Sequence, residues 1–88
     1  MRSVEFRFFP EDEKEDFAQS CARWRKNPDE FAVRAEEQEP GSAPSPLRRE
    51  VIVTHTPTGK ARRYEAGSGS NWNASFEEDL QALFFSGA

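Results

Sequence analysis

The strongest constraint on the fold is a pair of strand-like segments joined by a short turn. Residues 50–56 include a β-branched run at 51–54, and branched side chains favour the pleated surface of a strand. A Pro-Thr-Gly turn signal follows at 57–59, after which residues 60–66 alternate between the two faces of a returning strand. This pattern predicts a β-hairpin, so part of the sheet is antiparallel.

The N-terminal segment also has the period of a strand. Residues 3–9 place Val4, Phe6 and Phe8 on one face, because successive side chains of a strand point to opposite sides. Pro10 follows directly, and we expect the strand to end before it because proline lacks a backbone N–H.

Two helices are predicted from charge and apolar spacing. Residues 11–26 begin with acidic side chains and end with basic ones, an order that complements the helix dipole. The apolar stripe of this helix is Phe17, Cys21 and Trp24. A second stripe, near the C-terminus, consists of Trp72, Phe76, Leu80, Leu83 and Phe84. Spacings of three and four residues along one face are typical of an amphipathic helix.

The segment between the first helix and the hairpin is open to two interpretations. Residues 27–30 (Asn-Pro-Asp-Glu) have the form of a helix start. Residues 31–36 instead alternate as in a strand. Helix and strand both remain open for 29–37, with the strand favoured. Proline, glycine and serine are concentrated at about 39–47, where we expect a mobile loop.

These elements follow the order β-α-β-β-β-α, which predicts an α+β fold. We expect a three- to four-stranded, largely antiparallel sheet with both helices packed on one face, in a single small domain of residues 1–88. Eleven aromatic residues outnumber the nine Leu, Ile, Val and Met residues, so rings have to supply most of the buried area. The predicted core residues are Phe6, Phe8, Phe17, Trp24, Phe76, Leu80 and Phe84.

Several functional classes find no support in the sequence. No apolar run is long enough to cross a bilayer, and the first residues lack a secretory signal, so we expect a soluble, cytoplasmic, bacterial-style protein. Cys21 is the sole cysteine and His55 the sole histidine, whereas a catalytic or metal site needs several such groups to converge. We expect a non-enzymatic protein without a cofactor or metal.

Charge is distributed unevenly along the chain. Residues 1–40 have a net charge of −4, whereas residues 47–65 have a net charge of +3. The basic hairpin, residues 48–65, is therefore the first candidate contact surface. Its candidate residues are Arg48, Arg49, Lys60, Arg62, Arg63 and Tyr64. Basic side chains beside an aromatic suit phosphate contacts, although charges on an edge strand also prevent aggregation.

The second candidate surface is the acidic start of the first helix. Its carboxylates are Glu11, Asp12, Glu15 and Asp16, which can dock on a basic partner or simply stabilise the helix. A glycine-rich segment, residues 67–71, precedes the last helix. It suits a tight connection, and an anion site at the helix N-terminus is the alternative.

The sequence therefore predicts a small accessory protein that acts through an unknown protein partner or through self-association. Nucleic-acid binding by the basic hairpin is the alternative hypothesis. Docking of the acidic helix on a basic partner surface is the third, and no membrane contact is expected.

Overall fold

Four antiparallel strands and two helices form the fold. The structure is a computed structural model, and it describes residues 2–37, 49–67 and 71–85. The strands are β1 (Arg2–Glu5), β2 (Phe31–Glu37), β3 (Arg49–His55) and β4 (Lys60–Glu65), and the helices are α1 (Glu11–Arg23) and α2 (Trp72–Gln81). The sheet order is β1-β2-β3-β4. The predicted α+β class and element order are confirmed, whereas Arg48 and the loop predicted at 39–47 lie outside the described residues.

The ambiguous segment before the hairpin is a short 3-10 turn followed by a strand. The Asn27 side chain accepts a hydrogen bond from the Asp29 N–H at 2.9 Å and caps a single turn, Pro28–Glu30. The chain then extends into β2 from Phe31. The helix-start signal therefore describes one turn only, because the alternating side chains that follow bury one face in the sheet.

Alternation along the strands gives the sheet one face toward the helices and one open face. Val4, Ala35, Val51 and Tyr64 lie side by side across the four strands on the helix-covered face. The open face has a row of Glu36, Glu50 and Glu65 next to a row of Arg34, Ile52 and Arg63. Opposite charges in neighbouring rows stabilise this face.

Phe76 of α2 lies at the centre of an aromatic core. It is fully buried, and its ring centre lies 5.0 Å from that of Phe17, 5.5 Å from that of Phe31 and 5.7 Å from that of Phe85. Rings from α1, from β2 and from the segment after α2 therefore meet at one residue. Large rings bury much area per residue, which is how a chain poor in aliphatic side chains closes its core.

The structure contradicts the predicted core position of Phe8. β1 ends at Glu5, and Phe6–Phe8 form a 3-10 turn in which the Phe9 N–H donates to the Phe6 carbonyl at 3.0 Å. Side chains three residues apart share a face in such a turn, so Phe6 and Phe9 face inward. Phe9 is 4% exposed, whereas Phe8 is 67% exposed.

The predicted core position of Trp24 is also wrong, because the first helix ends at Arg23 and not at Lys26. Arg25 has a left-handed backbone with φ of 56°. The Lys26 N–H donates to the Cys21 carbonyl at 2.7 Å, which closes the helix in a Schellman motif. This reversal takes Trp24 out of the buried stripe and leaves it 37% exposed.

The end of α2 departs from the predicted stripe for the same reason. Leu83 is left-handed with φ of 63°, and the Phe84 N–H donates to the Asp79 carbonyl at 3.0 Å. After this reversal Phe85 is fully buried, Phe84 packs at the edge of the core and Leu83 is exposed. The core prediction is confirmed for Phe17, Phe76 and Leu80, and Phe6 packs at the edge.

Candidate binding groove between the two helices

Arg49 of the basic hairpin is enclosed by the protein's own groups. It lies at the start of β3 on the helix-covered face, and its side chain is 18% exposed. Its Nη1 lies 2.9 Å from Oε1 of Glu13, and its Nε lies 3.6 Å from Oε1 of Glu37. The guanidinium carbon is 4.7 Å from the centre of the Phe9 ring. Arg49 therefore joins α1 to the sheet.

Arg62 and Tyr64 also face the helices, where they share one carboxylate. The Tyr64 hydroxyl donates to Oδ2 of Asp79 at 2.7 Å, and Arg62 Nε lies 3.4 Å from the same oxygen. Arg62 covers the Phe84 ring at 4.3 Å. Burial, followed by the Asp79 hydrogen bond, raises the pKa of Tyr64 well above its usual range. Tyr64 is 6% exposed, so it is a core residue and not the exposed contact residue expected from the sequence.

Arg63 lies on the open face of the sheet, opposite to Arg49 and Arg62. Its Nη1 is 3.3 Å from Oε2 of Glu50 and 3.5 Å from Oε2 of Glu36. The strand register places Lys60 on the helix-covered face. The basic side chains described in the hairpin are thus divided between two faces, and all three arginines are ion-paired.

The acidic start of α1 is divided as well. Glu11 forms an ion pair with Lys14 at 2.8 Å, and Glu15 is exposed. Asp12 and Asp16 are four residues apart and share a flank of the helix. This flank faces the start of α2. Of the four predicted carboxylates, Asp12 and Asp16 therefore lie next to residues of α2.

A groove runs between α1 and the first turn of α2, and we name it the α1–α2 groove. It consists of two hollows of about 160 and 250 Å³ that share Asp16, Asn71 and Asn73 as walls. Arg23 and Glu77 also line the smaller hollow, and Asp12, Glu13, Arg49 and Trp72 also line the larger one. Four carboxylates face two guanidinium groups, so the field inside the groove favours cations.

Glu13 holds the walls of the groove together. The indole Nε1 of Trp72 donates to Oε1 of Glu13 at 2.6 Å, and Arg49 Nη1 donates to the same oxygen at 2.9 Å. The side-chain Nδ2 of Asn73 donates to the backbone oxygen of Glu13 at 3.3 Å. One residue of α1 therefore fixes both the first turn of α2 and the start of β3.

Asn73 presents a buried acceptor without a donor. The residue is 6% exposed, and its Oδ1 has no hydrogen-bond partner among the described residues. The contact with Glu13 sets the amide orientation, because only an NH₂ group can face a carbonyl oxygen. An unpaired buried acceptor costs roughly 1 to 3 kcal/mol. Asn73 was not predicted as a site residue. The sequence feature that could have indicated it is a polar amide directly after Trp72, in the first turn of a helix.

Asp12 and Asp16 also lack partners. Within the part of the chain that the structure describes, neither carboxylate forms an ion pair or a side-chain hydrogen bond. The N-cap of α2 is Asn71, whose Oδ1 accepts from the Ala74 N–H at 3.3 Å. Both aspartates complement the positive end of this helix. Residues 68–70 of the segment considered for an anion site lie outside the described residues; at the described N-terminus of α2 an added anion meets like charge.

His55 lies between a hydroxyl and a carboxylate. Its Nδ1 is 2.8 Å from Oγ1 of Thr58, and its Nε2 is 3.1 Å from Oε2 of Glu30. The residue is 5% exposed, and neither hollow of the α1–α2 groove includes any of these three side chains. The contacts tie the hairpin turn to the 3-10 turn before β2, so a structural role accounts for them.

The Cys21 thiol and the possible metal ligands give no indication of a reactive site in the described residues. Burial raises the pKa of the Cys21 thiol to about 12, so the thiol stays protonated and is a poor nucleophile. Residues 2–37, 49–67 and 71–85 contain no group of three His, Cys, Asp or Glu side chains arranged to hold a metal ion. In these ranges no helix has the length and apolar character needed to cross a membrane.

Comparisons with protein-family models, with curated proteins and with solved structures found no match. The chemistry of the α1–α2 groove is therefore the basis for assigning a function. Its walls combine one buried acceptor, Oδ1 of Asn73, with two unpartnered carboxylates, Asp12 and Asp16.

Proposed function

We propose that this domain is a non-enzymatic binding module that takes a basic segment of a protein partner in the α1–α2 groove. The observation that carries the proposal is Oδ1 of Asn73, which is buried in the groove wall without a donor. Asp12 and Asp16 line the same groove, and neither forms an ion pair with another described residue. A partner that brings hydrogen-bond donors and positive charge satisfies all three groups at once.

Ion pairing of the hairpin arginines favours the groove over the hairpin as the contact surface. Nucleic-acid binding relies on cations that exchange their counterions for phosphates. Arg49, Arg62 and Arg63 lie within 2.9, 3.4 and 3.3 Å of carboxylate oxygens of the same chain. A phosphate must compete with these carboxylates, which lowers the gain from each contact.

The net charge of the domain supports the same choice of partner. The whole chain has a net charge of −4, so it attracts a basic segment and repels a polyanion at long range. Asp12 and Asp16 line the groove, whereas Glu11 is paired with Lys14 and Glu15 lines neither hollow. Asp12 and Asp16 are therefore expected to contribute more to binding than acidic residues elsewhere on α1.

A titration with a capped peptide of arginine, lysine, glycine and serine tests the proposal. At about 50 mM salt the shifted amide resonances should belong to α1 and the first turn of α2, and binding should weaken by about 200 mM salt. Asp12→Asn combined with Asp16→Asn should weaken binding about tenfold. The control, Glu11→Gln combined with Glu15→Gln, removes the same charge from the same helix outside the groove and should change the affinity by less than about twofold.

Three results would contradict the proposal. Equal weakening in the two double variants means that only net charge matters. Binding of a short nucleic-acid duplex, lost in a variant with Arg62→Ala and Arg63→Ala, transfers the function to the hairpin. A dimeric mass with groove resonances perturbed at high protein concentration makes the groove a self-association surface.

A further inference from the structure

We infer that the α1–α2 groove contains a subsite for one arginine side chain of the partner, whose guanidinium group donates to Oδ1 of Asn73 and to the carboxylate of Asp16. Both residues line both hollows, so a group placed between them contacts the two together. The inference rests on the proposed function, because it specifies which group the basic segment inserts.

The subsite offers two hydrogen-bond acceptors, Oδ1 of Asn73 and the Asp16 carboxylate, so it suits a ligand with several N–H donors. One N–H of the Asn73 side-chain amide donates to the backbone oxygen of Glu13 at 3.3 Å, whereas its Oδ1 is buried and has no donor among the described residues. An ionised Asp16 is an acceptor only. The Asp16 side chain is exposed and has no partner among the described residues, so it is free to change rotamer and meet a guanidinium group.

Guanidinium fits this subsite better than ammonium does. It is planar, presents its N–H groups as a fork and is weakly hydrated, so it loses less on entering an enclosed site. The groove already holds one such group in the same manner. Arg49 lies 2.9 Å from the Glu13 carboxylate and 4.7 Å from the centre of the Phe9 ring, with its side chain 18% exposed.

The remaining carboxylates of the groove are already neutralised. Glu13 is paired with Arg49, and Glu77 is paired with Arg23. In the described ranges, Asp12 and Asp16 are the two carboxylates of the groove that form no ion pair. An arginine at Asp16 therefore meets an unsatisfied charge, and Asp12 supports a second basic residue of the same segment.

Three capped glycine-serine peptides that differ at one position, arginine, lysine or citrulline, test the subsite. The wild-type protein should bind the arginine peptide about tenfold more tightly than the lysine peptide, since the guanidinium fork can donate to Asn73 and Asp16 together and is less strongly hydrated than an ammonium group. Citrulline, which has the shape without the charge, should bind more weakly than both. The side-chain NH₂ resonances of Asn73 and the indole resonance of Trp72 should shift with arginine.

Asn73→Ala should reduce the preference for arginine over lysine to less than about twofold, because it removes the buried acceptor. Gln19→Ala is the matched control: it removes an amide that lines only the smaller hollow, and the preference should persist. Should Asn73→Ala fail to fold, the NH₂ resonances of Asn73 in the wild-type protein decide the question.

Each contrary result has a distinct meaning. Equal affinity for arginine and lysine peptides, with the dependence on Asp12 and Asp16 retained, overturns the arginine subsite and leaves the proposed function standing. Absence of binding by any basic peptide removes the proposed function itself. A preference that survives in Asn73→Ala, or Asn73 resonances that do not move, overturns the role of Asn73.

Discussion

The hydroxyl of Tyr64 donates a hydrogen bond of 2.7 Å to Oδ2 of Asp79, and this contact joins the edge strand β4 to α2. Arg62 lies 3.4 Å from the same oxygen. Tyr64 is the only tyrosine of the chain and is almost completely buried. A residue that the sequence assigned to a contact surface therefore fixes the second helix on the sheet.

Ionisation of Tyr64 should destabilise the protein at alkaline pH. Burial and the Asp79 hydrogen bond raise the pKa of Tyr64 in the folded protein above its ordinary value of 10.0. The unfolded chain thus releases this proton first, and the stabilisation, complete below about pH 10, is lost as the pH rises further. The expected slope is about −1.4 kcal/mol per pH unit in the free energy of unfolding.

Urea unfolding at a series of pH values, followed by tyrosinate absorbance, measures this effect. Tyr64→Phe is the control, because it lacks the ionisable hydroxyl and should lose the slope attributed to Tyr64. Reversible ionisation near pH 10 in a protein that stays folded would contradict the burial of this hydroxyl.

Two adjacent phenylalanines should differ strongly in how much stability their truncation costs. Phe9→Ala removes a ring that is 4% exposed, so we expect a loss of about 3 to 5 kcal/mol in the free energy of unfolding. Phe8→Ala removes a ring that is 67% exposed and should cost less than about 0.5 kcal/mol. Chemical denaturation of the two variants compares them directly, and a larger loss for Phe8→Ala would restore the uninterrupted strand expected from the sequence.

Glycine at position 83 should stabilise the protein. Leu83 has a left-handed backbone and an exposed side chain, and this conformation costs an ordinary residue roughly 1 to 2 kcal/mol. Leu83→Gly removes the strain and should raise the free energy of unfolding by about 0.5 to 1 kcal/mol after the entropy loss of glycine is deducted. Thermal melting is a sufficient measurement.

The neighbouring residue supplies the control for that substitution. Ala82 has an ordinary φ of −79°, so Ala82→Gly brings only the entropy loss and should destabilise by roughly 0.5 to 1 kcal/mol. A lower melting temperature for both variants would mean that the Leu83 side chain contributes packing that outweighs its backbone strain.

Local patterns were sufficient for the elements of the fold. The β-branched run and the Pro-Thr-Gly turn predicted the hairpin of β3 and β4, and the dipole-matched charges predicted α1. The errors occur where the chain reverses, at Phe6–Phe8, Arg25 and Leu83. A prediction from apolar spacing continues the strand or helix beyond these residues, because nothing in the spacing marks the residue at which the backbone turns.

The candidate site was predicted only in part. Asp12 and Asp16 were among the acidic residues singled out from the sequence, and both line the groove. Asn73 was not among the predicted residues. Whether its Oδ1 finds a hydrogen-bond donor depends on residues that are far away in sequence and that only the fold brings close. The orientation of its amide depends on Glu13, which lies sixty positions earlier along the chain.

The sequence by itself determined that this chain is an α+β domain whose core is built from aromatic rings and whose charges are unevenly distributed, because strand and helix periods and turn residues act locally. Only the tertiary structure decided which of those charges are available. Packing of the helices on the sheet pairs Arg49 with Glu13 and Arg62 with Asp79, and strand pairing places Arg63 beside Glu36 and Glu50 on the open face. Packing of α1 against α2 leaves Asp12, Asp16 and Oδ1 of Asn73 without partners among the described residues, since partners in electrostatic and hydrogen-bond contacts are chosen by proximity in space.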